Sequence, residues 1–167
     1  MLLLGLAHAR TIEEDFKIIP EFSFITPVGM QEIKNWPTHL SSVINKDHAV
    51  LVPELPNKKG AIGSSFWIDK DGDDFSWVGS FTFDIGNTAR TSKGGNGVAI
   101  LMLHEKDSEE IGQGIFGYGK RFRGVAIYLN TILNAPNEGM NYIQGFVNDG
   151  TKLVNPMKID PEASCME

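Results

Sequence analysis

Two apolar runs dominate the hydrophobic pattern of this chain. The first, Val98-Ala99-Ile100-Leu101-Met102-Leu103, follows directly on Gly94-Gly95-Asn96-Gly97. The second, Gly124-Val125-Ala126-Ile127-Tyr128-Leu129, follows a basic turn, Lys120-Arg121-Phe122-Arg123, and ends in Asn130-Thr131-Ile132-Leu133-Asn134. Runs of this length, bounded by Gly and Asn, fit fully buried strands better than helices. Each run meets an asparagine at one end. Two buried strands that bring polar amides to one rim predict a binding site on a β scaffold.

The remaining pattern is also strand-like. Phe22-Ser23-Phe24-Ile25 alternates weakly and predicts a first strand, followed by Ile33-Lys34-Asn35-Trp36. Val43-Ile44 leads into a turn at Asn45-Lys46-Asp47, and Ala49-Val50-Leu51-Val52 predicts a strand stopped by Pro53 and Pro56. Segment 60–68 predicts another, and segment 75–83 alternates aromatic with small or polar residues as a half-buried strand does. Short strands with turn signals throughout, and no convincing helical period, predict an all-β sandwich.

Composition narrows the function classes. A length of 167 residues predicts one domain with a sizeable core. Fifteen basic against 21 acidic residues give a net charge of −6, which argues against nucleic acid or an anionic membrane as the main partner. No apolar stretch is long enough to span a bilayer. The first residues, with a leucine run and the small-x-small pattern Ala7-His8-Ala9, read either as the tail of a secretory leader over 1–12 or as a ragged terminus. Residues 13–167 then form the domain.

Several catalytic and metal signatures fail on inspection. Asp69-Lys70-Asp71-Gly72-Asp73-Asp74 lacks the glycine and the bidentate glutamate of an EF-hand, because Asp74 and Ser80 stand at those positions. It reads as an acidic hairpin turn. Gly112-Gln113-Gly114-Ile115-Phe116-Gly117 matches a dinucleotide-binding pattern, but no βαβ context surrounds it, and Arg121 stands where a P-loop places Ser or Thr. A glycine-rich loop that lets chain pass close to chain explains it. His8, His39, His48 and His104 show no ligand spacing, and no nucleophile elbow occurs. The sequence therefore predicts a non-enzymatic protein. Cys165, the single cysteine, by itself reads as a free thiol or the mark of a reduced compartment.

Gly95-Asn96-Gly97-Val98-Ala99-Ile100, then Phe116-Gly117, then Gly124-Val125-Ala126-Ile127-Tyr128 with Asn130 and Asn134 resemble the L-type, or legume-like, lectin domain. The similarity is to the luminal domains of cargo receptors that cycle between endoplasmic reticulum and Golgi. Order as well as spacing agrees: an aromatic strand, an Asn-Trp element, a strand before Pro53-Glu54-Leu55, then a Gly-rich segment with Trp67. The resemblance covers the chain from about Phe22 onward. It implies a concanavalin A-like jelly-roll of two packed antiparallel sheets. It also implies that Cys165 is half of a disulfide whose partner lies in a downstream segment, so that the domain is expected to be incomplete at its C-terminus. A membrane anchor is expected in the full-length protein, and exposed strand edges in this one.

The resemblance further implies a site. Asn96 stands at the sugar hook, after a non-proline cis peptide expected at Gly95-Asn96. Gly95, Asn96 and Asn134 are the expected carbohydrate-binding residues. Asn130, the backbone carbonyl of Ile132, Asn134 and Asp160 stand at the metal positions, with Asp160 requiring a one-residue slip. Asn96 and Asn130 depart from the family pattern, since each replaces a carboxylate by a neutral amide. An amide oxygen still meets a cation or a sugar hydroxyl, but it brings no charge, and charge-assisted hydrogen bonds are about twice as strong as neutral ones. Fewer carboxylates weaken calcium binding. The competing reading of each Asn is a turn or loop amide that satisfies local backbone.

Three outcomes stay open: weak sugar binding without calcium, binding helped by a monovalent cation, or no sugar binding. The expected partners are N-linked, mannose-rich glycans or glycoprotein cargo in the lumen of the secretory pathway, in ER–Golgi sorting. The absence of any Asn-x-Ser/Thr sequon fits a domain that reads glycans rather than carries them. The rival is a protein-interaction sandwich that has lost the sugar. A glycosidase of the same fold comes third and would need facing carboxylates in a cleft.

Overall fold

The computed structural model describes residues 23–24, 27–64, 78–85, 97–104, 116, 118, 121–131, 142–158 and 164–166. They contain one short helix, α1 (Met30–Asn35), and eight strands: β1 (Thr38–Leu40), β2 (Val43–Ile44), β3 (Ala49–Val50), β4 (Gly60–Ile62), β5 (Gly97–Leu103), β6 (Arg123–Asn130), β7 (Tyr142–Asp149) and β8 (Ser164–Met166). Every ladder is antiparallel.

The dominant element is a four-stranded sheet in the order β5-β6-β7-β8. Its first two strands are the two apolar runs of the sequence, and they pair along their whole length, from Gly97 opposite Asn130 to Leu103 opposite Gly124. Strand β7 continues the ladder from Arg123 opposite Asp149 to Asn130 opposite Tyr142. Side chains alternate between the two faces of a strand, so the register sorts them. One face carries Ala99, Leu101, Ala126, Tyr128, Gln144 and Phe146; the other carries Val98, Ile100, Val125, Ile127, Ile143 and Val147.

The core lies on the first of these faces. Tyr118, Phe122, Ala126, Tyr128 and Val154 are buried together, with Ala99, Leu101, Leu103, Phe116 and Phe146 packed against them. Tyr128 is the hub. Its ring meets Phe116 at 4.9 Å and Phe146 at 5.7 Å between centroids, tilted and edge-on, geometries that suit the aromatic quadrupole. Phe122, just before β6, is 1% exposed and packs edge-on to Tyr118. The basic turn of the sequence thus carries an aromatic anchor between its cationic residues.

On the opposite face the apolar side chains of β5 and β6 are only half-buried, and on β7 Ile143 and Val147 are exposed. Both faces of this sheet are therefore apolar at β5 and β6, which is why the two runs show no polar alternation in sequence.

The small sheets lie earlier in the chain. Strands β2 and β3 form a hairpin through the turn expected at Asn45-Lys46-Asp47, closed by the Asn45 N–H donating to the His48 carbonyl at 2.8 Å. Strand β1 pairs with β4. The buried Ser42 side chain joins them: its Oγ accepts the His39 N–H at 3.1 Å and lies within donating distance of the His39 and Ala61 carbonyls.

Four strand expectations need correction. Ser23 and Phe24 lie outside any strand. The third strand ends at Val50, two residues before the expected Val52, and the chain bends there ahead of Pro53. The fourth ends at Ile62, with Gly63 and Ser64 beyond it, and residues 65–68 of the expected strand lie outside the described residues. Residues 78–85 are irregular and exposed. The physical reason is common to all of them. Alternation fits a side-chain pattern to a strand, but a strand exists only where a neighbour completes its backbone hydrogen bonds. The helix α1 likewise occupies a stretch whose hydrophobic pattern showed no helical period; the Ile33 N–H donates to the Gly29 carbonyl at 3.2 Å across its first turn.

Candidate functional site

The rim singled out by the sequence lies where β5 begins and β6 ends. Antiparallel pairing puts these two points together: Gly97 is the register partner of Asn130, and Asn130 is in turn the register partner of Tyr142. Three strands thus meet at one end of the sheet. Asn96 immediately precedes Gly97 in the chain, and Thr131 immediately follows Asn130. Gly95, Asn96, Ile132, Asn134 and Asp160, with the Gly95-Asn96 peptide bond, lie outside the described residues.

The start of β5 is forced to be glycine. Gly97 has φ of 122°, and a Cβ there would lie 1.9 Å from the Leu129 carbonyl oxygen. No side chain fits such an approach, and L-residues avoid that backbone region. Backbone therefore lies directly against backbone at the rim. Gly124, at the other end of the same ladder, repeats the arrangement against the Met102 carbonyl.

Asn130 is 1% exposed. Its Nδ2 donates to the Tyr142 hydroxyl at 2.7 Å and lies 3.5 Å from the Met157 sulfur. The Tyr142 hydroxyl in turn donates to the Pro156 carbonyl at 2.8 Å. One turn of alternation further along β7, Gln144 is fully buried, and its Nε2 donates to the Lys158 carbonyl at 3.2 Å. The Gln144 Oε1 is buried without a hydrogen-bond partner. The segment these side chains hold is itself a turn: the Asn155 Oδ1 accepts the Met157 N–H at 3.1 Å, and the Asn155 carbonyl accepts the Lys158 N–H at 3.0 Å.

Burial pushes the Tyr142 hydroxyl above its ordinary range, partly offset by the bond from Asn130. It stays protonated, and so remains a donor, at any physiological pH. Among the described residues no group of three or more His, Cys, Asp or Glu side chains could hold a metal ion.

The match that decides the family is to the model of the legume-like lectin family, over residues 16–166. The chain belongs to the legume-like lectin family. Comparison with curated proteins and with solved structures gives no match. Membership brings the concanavalin A-like β-sandwich, in keeping with the strand-rich, antiparallel architecture, and a lectin-like, carbohydrate-binding type of domain. The sequence reading of both fold and family is borne out.

Against this lectin frame, the residues that sequence reasoning missed are Tyr142, Gln144, Pro156 and Met157. Alternation in Tyr142-Ile143-Gln144-Gly145-Phe146-Val147-Asn148 suggests polar positions facing water, yet Gln144 and Asn148 point inward while Val147 is 86% exposed. The one available signal was Asn155-Pro156, a turn-initiating pair. It locates a turn without saying what the turn lies on.

Proposed function

We propose that this lectin domain binds mannose-rich N-linked glycans, free or on glycoprotein cargo, in the lumen of the secretory pathway, and that it serves ER–Golgi sorting. Binding is weak and does not depend on calcium. The reading rests on the family match across residues 16–166 together with the register that sets Gly97, the neighbour of Asn96, against Asn130. In this reading Asn96 and Asn134 offer amide groups to sugar hydroxyls, and Gly95 lets the backbone come close to the ligand. The acidic charge of the chain suits a neutral sugar better than a polyanion.

A second reading has a specific observation in its favour. The amides at Asn96 and Asn130 replace the carboxylates of the family pattern, and the Asn130 amide is engaged inside the protein. This reading keeps the fold, drops the sugar and makes the domain a protein-interaction module.

A glycan array probed with this chain in calcium and in chelator separates the two. Signal on mannose-rich glycans of equal strength in both conditions supports the proposal. Signal abolished by chelator overturns its calcium independence. Absence of glycan signal in both conditions favours the protein-interaction module.

A further inference from the structure

The legume-like family implies calcium at the rim, so the residues present must be tested against that ion. They do not fit it. A hard dication wants several oxygen ligands with carboxylates among them, whereas Asn96, Asn130 and Asn134 are neutral and only Asp160 carries charge. At Asn130 the amide nitrogen is committed to the Tyr142 hydroxyl and lies 3.5 Å from the thioether of Met157, a soft group that suits no hard cation, so this residue has at most one neutral oxygen to offer where the family pattern has a carboxylate.

We propose that Asn130, Tyr142 and Gln144 form a metal-free clamp that fastens segment 155–158 across the end of the sheet. Asn130 is then a positioning residue, holding the turn through its amide nitrogen. The proposal deepens the calcium-independent reading of the same rim, but its test does not need a glycan.

Donor and acceptor bookkeeping explains why position 130 is an amide. Tyr142 has one hydroxyl hydrogen. The Pro156 carbonyl, 2.8 Å away, can only accept, so that hydrogen is directed to it. Whatever else meets the hydroxyl at 2.7 Å must therefore donate, and Nδ2 of Asn130 does. A carboxylate at position 130 has no hydrogen to give. It would either face the hydroxyl oxygen lone pair to lone pair, or draw the hydrogen to itself and leave the carbonyl of the buried Pro156 without its donor. The acid that a calcium site needs at this position and the amide that the clamp needs are mutually exclusive.

The clamp is continuous. Asn130 holds Tyr142; Tyr142 holds Pro156; Gln144, on the same face two residues along β7, holds Lys158. The turn between those anchors is closed by Asn155. Fixing a loop at a binding rim is the service an ion performs in many sites, and here three side chains on two paired strands perform it.

The test uses the whole chain and two readouts. Thermal melting is followed in calcium, in potassium, and in chelator with an organic cation at equal ionic strength. The wild type is expected to melt at the same temperature in all three. Tyr142→Phe keeps the ring and removes the hydroxyl; it is expected to speed amide exchange at Met157 and Lys158 by roughly fivefold or more, with the centre of β6 unchanged. Asn130→Asp is expected to melt several degrees lower, with no recovery in calcium. A calcium- or potassium-dependent rise in the wild-type melt, or a calcium-dependent gain in Asn130→Asp, overturns the proposal. So does unchanged exchange in Tyr142→Phe, a variant expected to fold. An array without glycan signal defeats the sugar reading and leaves these measurements as they stand.

Discussion

Gly97 sits directly opposite Asn130, so close to the neighbouring strand that a Cβ would approach the Leu129 carbonyl to 1.9 Å. The rim of this lectin is therefore built on a glycine that no other residue can replace.

Gly97→Ala is expected to destabilise the domain by about 2–4 kcal/mol, since it adds both a steric clash and a φ of 122° that alanine avoids. Gly145→Ala is the matched control. It lies in β7 with nothing within 4 Å of its Cβ position, and is expected to be neutral or slightly stabilising. Chemical denaturation of both variants checks this; equal midpoints would remove the steric argument.

Tyr128 predicts the alkaline limit. Burial raises its hydroxyl from the ordinary value of 10.0 to about 12. The folded state thus holds its proton after the unfolded chain has released it. The corresponding stability is fully present below pH 10.0 and is lost as pH rises toward about 12. Its size is on the order of 2 kcal/mol. In Tyr128→Phe the fall in stability across that window is expected to be shallower, with a residual slope from Tyr142, whose hydroxyl is also raised by burial. Denaturation midpoints measured from neutral to strongly alkaline pH supply the comparison.

Val147 offers a third measurement. It is 86% exposed on the apolar face of β7, opposite Val125 of β6. Val147→Lys is expected to change stability by less than about 0.5 kcal/mol and to raise solubility, because it interrupts an apolar patch. A large loss of stability would mean that this side chain is covered in solution. Denaturant midpoints and the concentration at which light scattering begins report the two quantities.

How much of this was legible beforehand depends on the range of the interactions. The two apolar runs announced β5 and β6, although β5 is half-buried along its whole length and only one face of β6 is fully buried, short of the full burial expected from sequence. Asn45-Lys46-Asp47 announced the β2–β3 hairpin, because turn chemistry is local. Residues 78–83 show the opposite case. Their alternation is as regular as that of β7, yet they form no strand, since backbone pairing is decided by a partner elsewhere in the chain. The family was legible as an ordered set of short motifs, and the match over 16–166 agrees with it.

Asn130 divides the two kinds of information. Its residue type, read along the chain, shows a neutral amide where the resemblance implies a carboxylate. What the amide does instead depends on Tyr142, Pro156 and Met157, between 12 and 27 positions away. Sequence alone determined the β character, because periodicity is a property of neighbouring residues, and the family, because its short motifs stand in order along the chain. Only the tertiary structure decided which atom of Asn130 faces the hydroxyl and which turn is fastened to the sheet, because hydrogen-bond direction is set by groups that meet only after the strands have paired.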